Sequence, residues 1–452
     1  MDHNDKHMKE PRLQKSLFVF TRDLRIDDNT GLIEACAKSD IVIPCIILDP
    51  KLVKDKNSFR IRFFLDCIEN LRDKFEKRNA ILQILYGDYT ESVRNIIKIE
   101  KIEAVFINRD FTPFAQKRQN EFSQFCHQNN IPLLQYIDHL MYDPNLIKTQ
   151  EGKPYSVFTQ FFRSATQIQV PNMRKNNFRN FYSEELVDRP AIKSRLSSSI
   201  KDDRKNPLKI LKNLKNFSDY QTKRNYPEYD TTMLSAHNRF GTISIREIYH
   251  AISNSLGRDH ILINEIHWRE FFSYILYHYP HIIKEPFRKK YCKITWRHNQ
   301  DHFEAWKNGR TGFPIVDAGM RELEKTGFMH NRVRMIVASF LVKDLHIDWR
   351  IGERYFAKKL IDYDLAVNNG NWQWIASTGC DSQPWFRIFN PWLQQKKFDP
   401  NCRYIKKWVT ELEALSAEKI HKLEMEPSDI DYPRPIIEHF TEAKIAKQMF
   451  VT

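Results

Sequence analysis

The chain has 452 residues, 41% of them apolar, only 12 glycines, and a net charge of +14. That length exceeds one ordinary domain, and the composition argues against a low-complexity or all-turn protein. The positive excess suits a polyanionic partner such as nucleic acid, while seven scattered cysteines with no C-x-x-C pair argue against a disulfide framework, an iron–sulfur cluster and any metal site.

Residues 1–15 are charged and lack the apolar stretch of a signal peptide, and no run approaches the ~18 apolar residues of a membrane span. A soluble protein of a reducing, cytoplasmic setting is expected, with no membrane contact. Short apolar runs at Ser16–Phe20, Ile41–Leu48, Ile81–Tyr86, Ala104–Asn108 and Leu133–Tyr136 read as buried strands. Amphipathic stretches fill the gaps, near Gly31–Lys38, Phe59–Arg78, Glu91–Lys101 and Ala115–Asn129. This βαβ rhythm predicts an α/β, Rossmann-like domain with a parallel sheet over residues 15–142, although no G-x-G-x-x-G follows the first strand.

Between residues 143 and 213 the periodicity dissolves, and the Lys-, Arg-, Ser- and Asn-rich stretch Met173–Asn213 reads as a long interdomain linker. From 214 to 452 helical periodicity takes over, predicting a larger all-helical domain. All nine tryptophans lie there, between Trp268 and Trp408. Large rings gathered in one half of a basic protein suggest a site for another flat π-system, with core filling as the competing explanation.

Within the helical half, Glu265 and Trp268 stand three apart on one face, a poor core pair but a good grip on a polar aromatic ligand. The block His330-Asn331-Arg332-Val333-Arg334-Met335 puts two arginines into an apolar helix, so at least one must be paired. Asp362 and Asp364 lie in a similarly apolar run, and Arg334 with Asp362 is the candidate ion pair. Upstream, the hydroxyls of Thr231-Thr232-Met233-Leu234-Ser235 precede a helix start, where free N–H groups attract anions, although such clusters are more often N-caps.

These blocks resemble the photolyase/cryptochrome family, and most closely its class I cyclobutane pyrimidine dimer photolyases. The resemblance starts at Phe20-Thr21-Arg22-Asp23-Leu24-Arg25-Ile26-Asp27-Asp28-Asn29, similar to an FxRDLRxxDN opening, and runs to Tyr432-Pro433-Arg434-Pro435-Ile436. It is densest from Glu265 to Pro391.

The resemblance implies an FAD in the helical domain, working as FADH−. Tyr220, Thr231, Thr232, Leu234 and Ser235 would hold its phosphates and nearby groups, although Asp230, Met233 and Ala236 depart from the family's usual block there. Arg334 and Asp362 would pair beside the isoalloxazine, Asp364 would hydrogen-bond the ring, and Asn368 would face flavin N5. Trp268 and Trp374 would wall a pocket for a flipped pyrimidine dimer. Glu265 would hydrogen-bond that dimer and also belong to the cofactor-binding set, with Asn331, Arg332 and Met335 lining the pocket and Arg387 on its DNA-binding rim. Trp372, Trp349 and Trp306 would form the family's electron-carrying chain from the surface. Trp296, Trp385, Trp392 and Trp408 are left to packing or the DNA surface.

A light-driven repair enzyme acting on UV-damaged DNA as a monomer is therefore expected: a deoxyribodipyrimidine photo-lyase. A second, antenna chromophore is expected in the N-terminal domain. Asn108-Arg109-Asp110-Phe111-Thr112-Pro113-Phe114 resembles relatives without folate, which favours a deazaflavin or flavin over methenyltetrahydrofolate. Two relatives stay open as alternatives. Six-four photoproduct photolyases usually carry Gln where this chain has Glu265, and cryptochrome photoreceptors usually continue into a tail beyond the point where this sequence stops. A helical nucleic-acid-binding module without photochemistry is the third.

Overall fold

The computed structural model describes residues 11–55, 58–186, 207–425 and 430–451. Five strands form one parallel sheet: β1 (Leu13–Phe20), β2 (Ser39–Leu48), β3 (Gln83–Tyr86), β4 (Ala104–Asn108) and β5 (Leu133–Tyr136). Their order is β3-β2-β1-β4-β5, so successive connections wind outward from β1 in opposite directions. Helices Thr30–Lys38, Phe59–Glu76, Tyr89–Glu100 and Pro113–Gln128 make the crossovers. Leu17, Phe18, Val19, Val105 and Phe106 have no solvent exposure, as expected of strands covered on both faces.

Order reversal between β1 and β4 opens a crevice beyond their carboxyl ends, the usual ligand position in such sheets. Here Asn108 occupies part of it, donating from Nδ2 to Asp23 Oδ2 at 2.6 Å and to Asn29 Oδ1 at 2.8 Å. Its Oδ1 accepts from Gly31 N at 3.0 Å.

Ile81, expected in a strand, lies outside β3 for a clear reason. The segment after the sheet returns and inserts beside β2: Tyr182 N donates to Val42 O at 2.9 Å, while Ile81 N donates to Tyr182 O at 3.0 Å. Ile81 thus pairs with the returning chain. Nor is the stretch from 143 to 213 featureless. The Phe158–Ala165 helix inside it buries Phe158, Phe161 and Ala165 in the helical core. Residues 187–206 of the expected linker lie outside those described.

The remaining described chain is helical. Trp306, Trp349 and Trp372 are buried at its centre with Phe313, Phe340 and Phe356. A π-helical turn, Phe340–Asp344, places Lys343 and Asp344 fully inside. The His439–Met449 helix locks over it through His439–Asp344 at 2.5 Å and His346–Glu442 at 2.6 Å.

Ion pairs bind the two layers. Arg25 and Arg246 converge on Asp138 at 2.6 and 3.0 Å, and Leu24 N donates to Phe240 O at 3.0 Å. No helix among the described residues is long and apolar enough to cross a membrane.

Candidate active site

The Ile261–His278 helix is buried on every face over Glu270–Leu276, which fits its position between neighbouring helices. Its Phe272 ring fills the space left by Gly370 on the Leu365–Ile375 helix, where any Cβ would collide with it. Trp268 lies one turn before Phe272 and Trp374 one turn after Gly370, so the two half-buried indoles flank the helix crossing. One face of Trp268 is already covered: Phe158 stacks on it with centroids 3.7 Å apart and planes 6° from parallel.

Glu265 forms an ion pair with Arg224, beside the half-buried Tyr220. Burial raises the Glu265 pKa against the pull of that guanidinium. Burial and the Glu265 charge together push the Tyr220 phenol up to about 12. The adjacent Asn225 accepts from Arg332 Nη2 at 2.6 Å, and the Arg332 guanidinium sits 4.4 Å from the Phe398 ring centre. Residues 224 and 225 therefore link Glu265 to Arg332 across the cleft. Asn331 is exposed and Met335 half-buried on the same helix, Asn331–Ser339. Its N-cap is His330, which accepts from Arg332 N and is held to a pKa of about 4 by burial and two neighbouring arginines. A neutral capping imidazole is not a poised proton donor.

Arg334 Nη2 pairs with Asp362 Oδ2 at 2.9 Å, and its Nε donates to Met329 O at 2.7 Å. Asp362 Oδ1 is buried with no partner among the described residues. An orphaned carboxylate oxygen is costly without a donor, so this position suits a ligand N–H.

Asp364 has partners that the sequence did not suggest. Its Oδ1 caps the Leu365–Ile375 helix, accepting from Ala366 N and Val367 N, while its Oδ2 takes Arg22 Nη2 at 2.5 Å. Burial would raise this carboxyl, but Arg22, Arg239 and Arg269 hold it well below the usual range. The carboxylate expected to serve the ring is thus engaged on both oxygens, as a helix cap and an interdomain bridge. Asn368, one turn on, is buried and donates from Nδ2 to Glu353 Oε1 at 2.8 Å and Glu353 O at 3.2 Å.

Trp306 also departs from expectation. It is fully buried, its Nε1 donates to Val337 O at 3.0 Å, and its ring meets Trp372 directly at 6.4 Å. A ring sealed from solvent cannot be the surface end of an electron chain. Trp296 is half-buried, packs against Phe450 at 6.1 Å, and precedes Arg297, whose N–H binds His346 O just before Trp349. Trp349 and Trp372 are buried.

Elsewhere, Thr231 and Thr232 are half-buried, Leu234 is buried and Ser235 is exposed at the start of the Ser235–Phe240 helix. Met233 adopts φ +52°, a left-handed turn that bends the chain into this helix. No side chain caps that helix start. Arg387 is exposed, following Phe386, whose ring is also exposed. Among the described residues no group of three His, Cys, Asp or Glu side chains could hold a metal ion.

Arg22, Phe158, Arg224, Asn225 and Glu353 did not emerge as site residues from sequence. Phe158 lay in the presumed connector, and Glu353 lies fifteen positions from the residue it holds. Only Arg22 carried a signal, since it opens the FxRDLR-like block.

An outward-winding α/β sheet joined to a helical body, with a half-buried ion pair that leaves a buried carboxylate oxygen free for a ligand N–H, suits a cofactor-binding enzyme. Residues 16–176 match the family described as DNA photolyase, and residues 262–452 match the FAD binding domain of DNA photolyase. A deoxyribodipyrimidine photo-lyase of Synechococcus sp. is 35% identical, covering 96% of each chain. The archaeal photolyase of Sulfolobus tokodaii, solved with two FAD molecules, superposes with a TM-score of 0.84 at 36% identity, covering 97% of this chain and 100% of its own. A Synechocystis cryptochrome gives 0.85 at 26% identity, covering 97% and 99%. The chain belongs to the photolyase/cryptochrome family.

Proposed function

We propose that this protein is a DNA photolyase of the class I kind, splitting cyclobutane pyrimidine dimers under blue light. Two things support it: near-full-length likeness to proteins named deoxyribodipyrimidine photo-lyase, and the cleft where Glu265 faces the Arg224–Asn225–Arg332 bridge. When bound in its reduced form FADH−, FAD would supply the electron under light. Asp362 Oδ1 and Asn368 would meet its ring, while Tyr220, Thr231, Thr232, Leu234 and Ser235 would hold its phosphate end. Arg334 neutralises Asp362 there.

Glu265, Asn331, Arg332 and Met335 would line the lesion pocket between Trp268 and Trp374. Flipping the dimer out costs a few kcal/mol, and stacking on indole returns about 1–3 kcal/mol per base. Arg387 would hold backbone phosphate at the rim. Trp372, Trp349 and, in place of Trp306, Trp296 would relay electrons from solvent. A deazaflavin or second flavin would sit in the α/β domain of residues 15–142, joined by 143–213 to the catalytic part at 214–452. The enzyme would act as a monomer in the cytoplasm.

The deciding experiment illuminates the reduced protein with a thymine-dimer oligonucleotide. Light-dependent return of thymine absorbance supports dimer repair, activity on a six-four lesion alone would assign that chemistry, and neither would leave a cryptochrome-type photoreceptor.

A further inference from the structure

Trp268 is held by three rings. Phe158 lies flat on one face of its indole, while Phe271 and Phe272 of its own helix stand 5.8 and 5.6 Å away. The indole therefore cannot tilt without displacing Phe158, which is itself buried. Where Phe158 sits decides where Trp268 sits.

Phe158 is the first residue of the Phe158–Ala165 helix. A helix start carries N–H groups that lack intrahelical acceptors, and the N-cap here, Val157, has an apolar side chain that cannot supply one. The acceptor comes from far along the chain: Asp381 Oδ2 takes the Phe158 N–H at 3.0 Å. A carboxylate is also the favoured charge at that end of a helix.

Asp381 is in turn tied to the other indole. It lies shortly after Trp374, in a turn folded back onto the end of the Leu365–Ile375 helix. Ser377 N donates to Trp374 O at 3.2 Å, and Thr378 N and Gly379 N donate to Gln373 O at 3.0 and 3.1 Å. Beyond the turn, Gln383 Nε2 donates to Ile375 O at 3.1 Å. Asp381 itself takes φ +44°, a left-handed conformation that Asp and Asn tolerate better than most residues. Bonds to residues 373, 374 and 375 thus aim its carboxylate.

We infer that Asp381 is a positioning residue: by capping the helix that carries Phe158 it couples the support of Trp268 to the turn after Trp374 and fixes the separation of the two indoles. This rests on the proposal above that Trp268 and Trp374 wall the lesion pocket. Phe272 against Gly370 sets where the two helices cross, and a single crossing point lets the helices pivot. The Asp381–Phe158 bond is the second point that a fixed separation needs. Contact attraction drops by a quarter to a half when rings part by roughly 0.5–1 Å, so loosened walls would grip a flipped dimer less.

The test compares Asp381→Gly with Asp381→Asn in the purified holoprotein. Glycine keeps the left-handed turn and removes the acceptor; asparagine keeps the turn and an acceptor oxygen while removing the charge. Dark binding to a thymine-dimer oligonucleotide is measured against the same sequence undamaged. Asp381→Gly should lose about tenfold in preference for the dimer, the effect of one weakened base stack, with flavin content unchanged. Asp381→Asn should stay within about threefold of the parent. Fluorine NMR of 5-fluorotryptophan-labelled protein, with the Trp268 line assigned from Trp268→Phe, gives a readout without substrate. That line should move in Asp381→Gly and hold its place in Asp381→Asn.

An undiminished preference or an unmoved Trp268 line in Asp381→Gly overturns the inference, and so does an Asp381→Asn protein that behaves as Asp381→Gly does. If Asp381→Gly does not fold, Phe158→Leu replaces it, keeping the capped N–H and removing the flat ring. It should lose the same preference, and full retention overturns the inference. Parent protein with no preference for the dimer would sink the functional proposal as well, whereas a parental preference that Asp381→Gly retains sinks this inference only.

Discussion

Arg22, two residues past the end of β1, reaches across the domain boundary to Asp364 at 2.5 Å, and both are almost fully buried. Asp364 is also the N-cap of the helix carrying Asn368, Trp372 and Trp374. The same loop holds the short Ser235–Phe240 helix: Leu24 N bonds Phe240 O, and Gly241 at φ +61° lies so close to Arg22 O that no side chain fits. A loop of the sheet domain thus fixes both segments expected to hold FAD.

Arg22→Met should strand the Asp364 charge. A loss of about 3–5 kcal/mol is expected, as when one partner of a buried pair is removed, together with lower flavin content. Denaturant unfolding with a flavin assay checks both. Because the folded pKa of Asp364 is depressed, its stabilisation is complete above the unfolded value near ~3.9 and is lost as pH falls below it. Asp364→Asn should therefore flatten the acid limb of the stability curve.

Glu265→Ala should reduce repair quantum yield at least tenfold while leaving flavin content near normal, because Glu265 lies on the cleft side of its helix and is paired to Arg224 rather than to a core group. Arg224→Ala frees the carboxylate and should weaken dimer binding more than it alters repair per bound dimer. Equal loss of flavin and repair in Glu265→Ala would place this residue in the cofactor site instead.

Trp296→Phe should slow photoreduction of oxidised enzyme and spare repair by pre-reduced enzyme. Trp306→Phe should leave the photoreduction rate within about twofold, yet remove one of the donors to Val337 O, which keeps the Phe340 N–H, at a cost of about 1 kcal/mol. Flash photolysis and thermal melting separate the two. The reverse pattern would return the surface role to Trp306.

Lys343 is fully buried, its ammonium meeting Ser377 Oγ at 3.2 Å, Trp385 O at 3.3 Å and the Phe450 ring among the described residues, and burial lowers its pKa to about 7. Between ~7 and the unfolded value near ~10.4 the unfolded chain binds more protons, so stability rises with pH across that window. Lys343→Met should remove this slope and stabilise the protein by on the order of 1–4 kcal/mol at and below pH 7. The gain should shrink as pH approaches 10, which melting curves across pH would show.

Much of the fold was readable because period-2 and period-3.6 patterns are local. β4 and β5 came out residue for residue. Ile81 did not, because its partner Tyr182 is a hundred positions away and no local signal marks the insertion. The Arg334–Asp362 pair was readable from charge in an apolar setting. Glu353, Arg224 and Asn225 were not, since a polar residue on a helix looks the same whether it faces water or a neighbouring amide. Trp306 shows the converse limit: residue type identifies an indole, but only packing tells whether it reaches solvent.

The Phe158 ring lying flat on Trp268 has a geometric result for whatever occupies the cleft. With Phe158 flat on one face of Trp268, a guest ring in the proposed lesion pocket would have to stack on the other face, from one direction. The proposed seat would then be handed before any substrate arrives. Its backing comes from the stretch that leaves the sheet domain, so a change in that stretch alters the thickness of the slot without touching a residue that meets the guest.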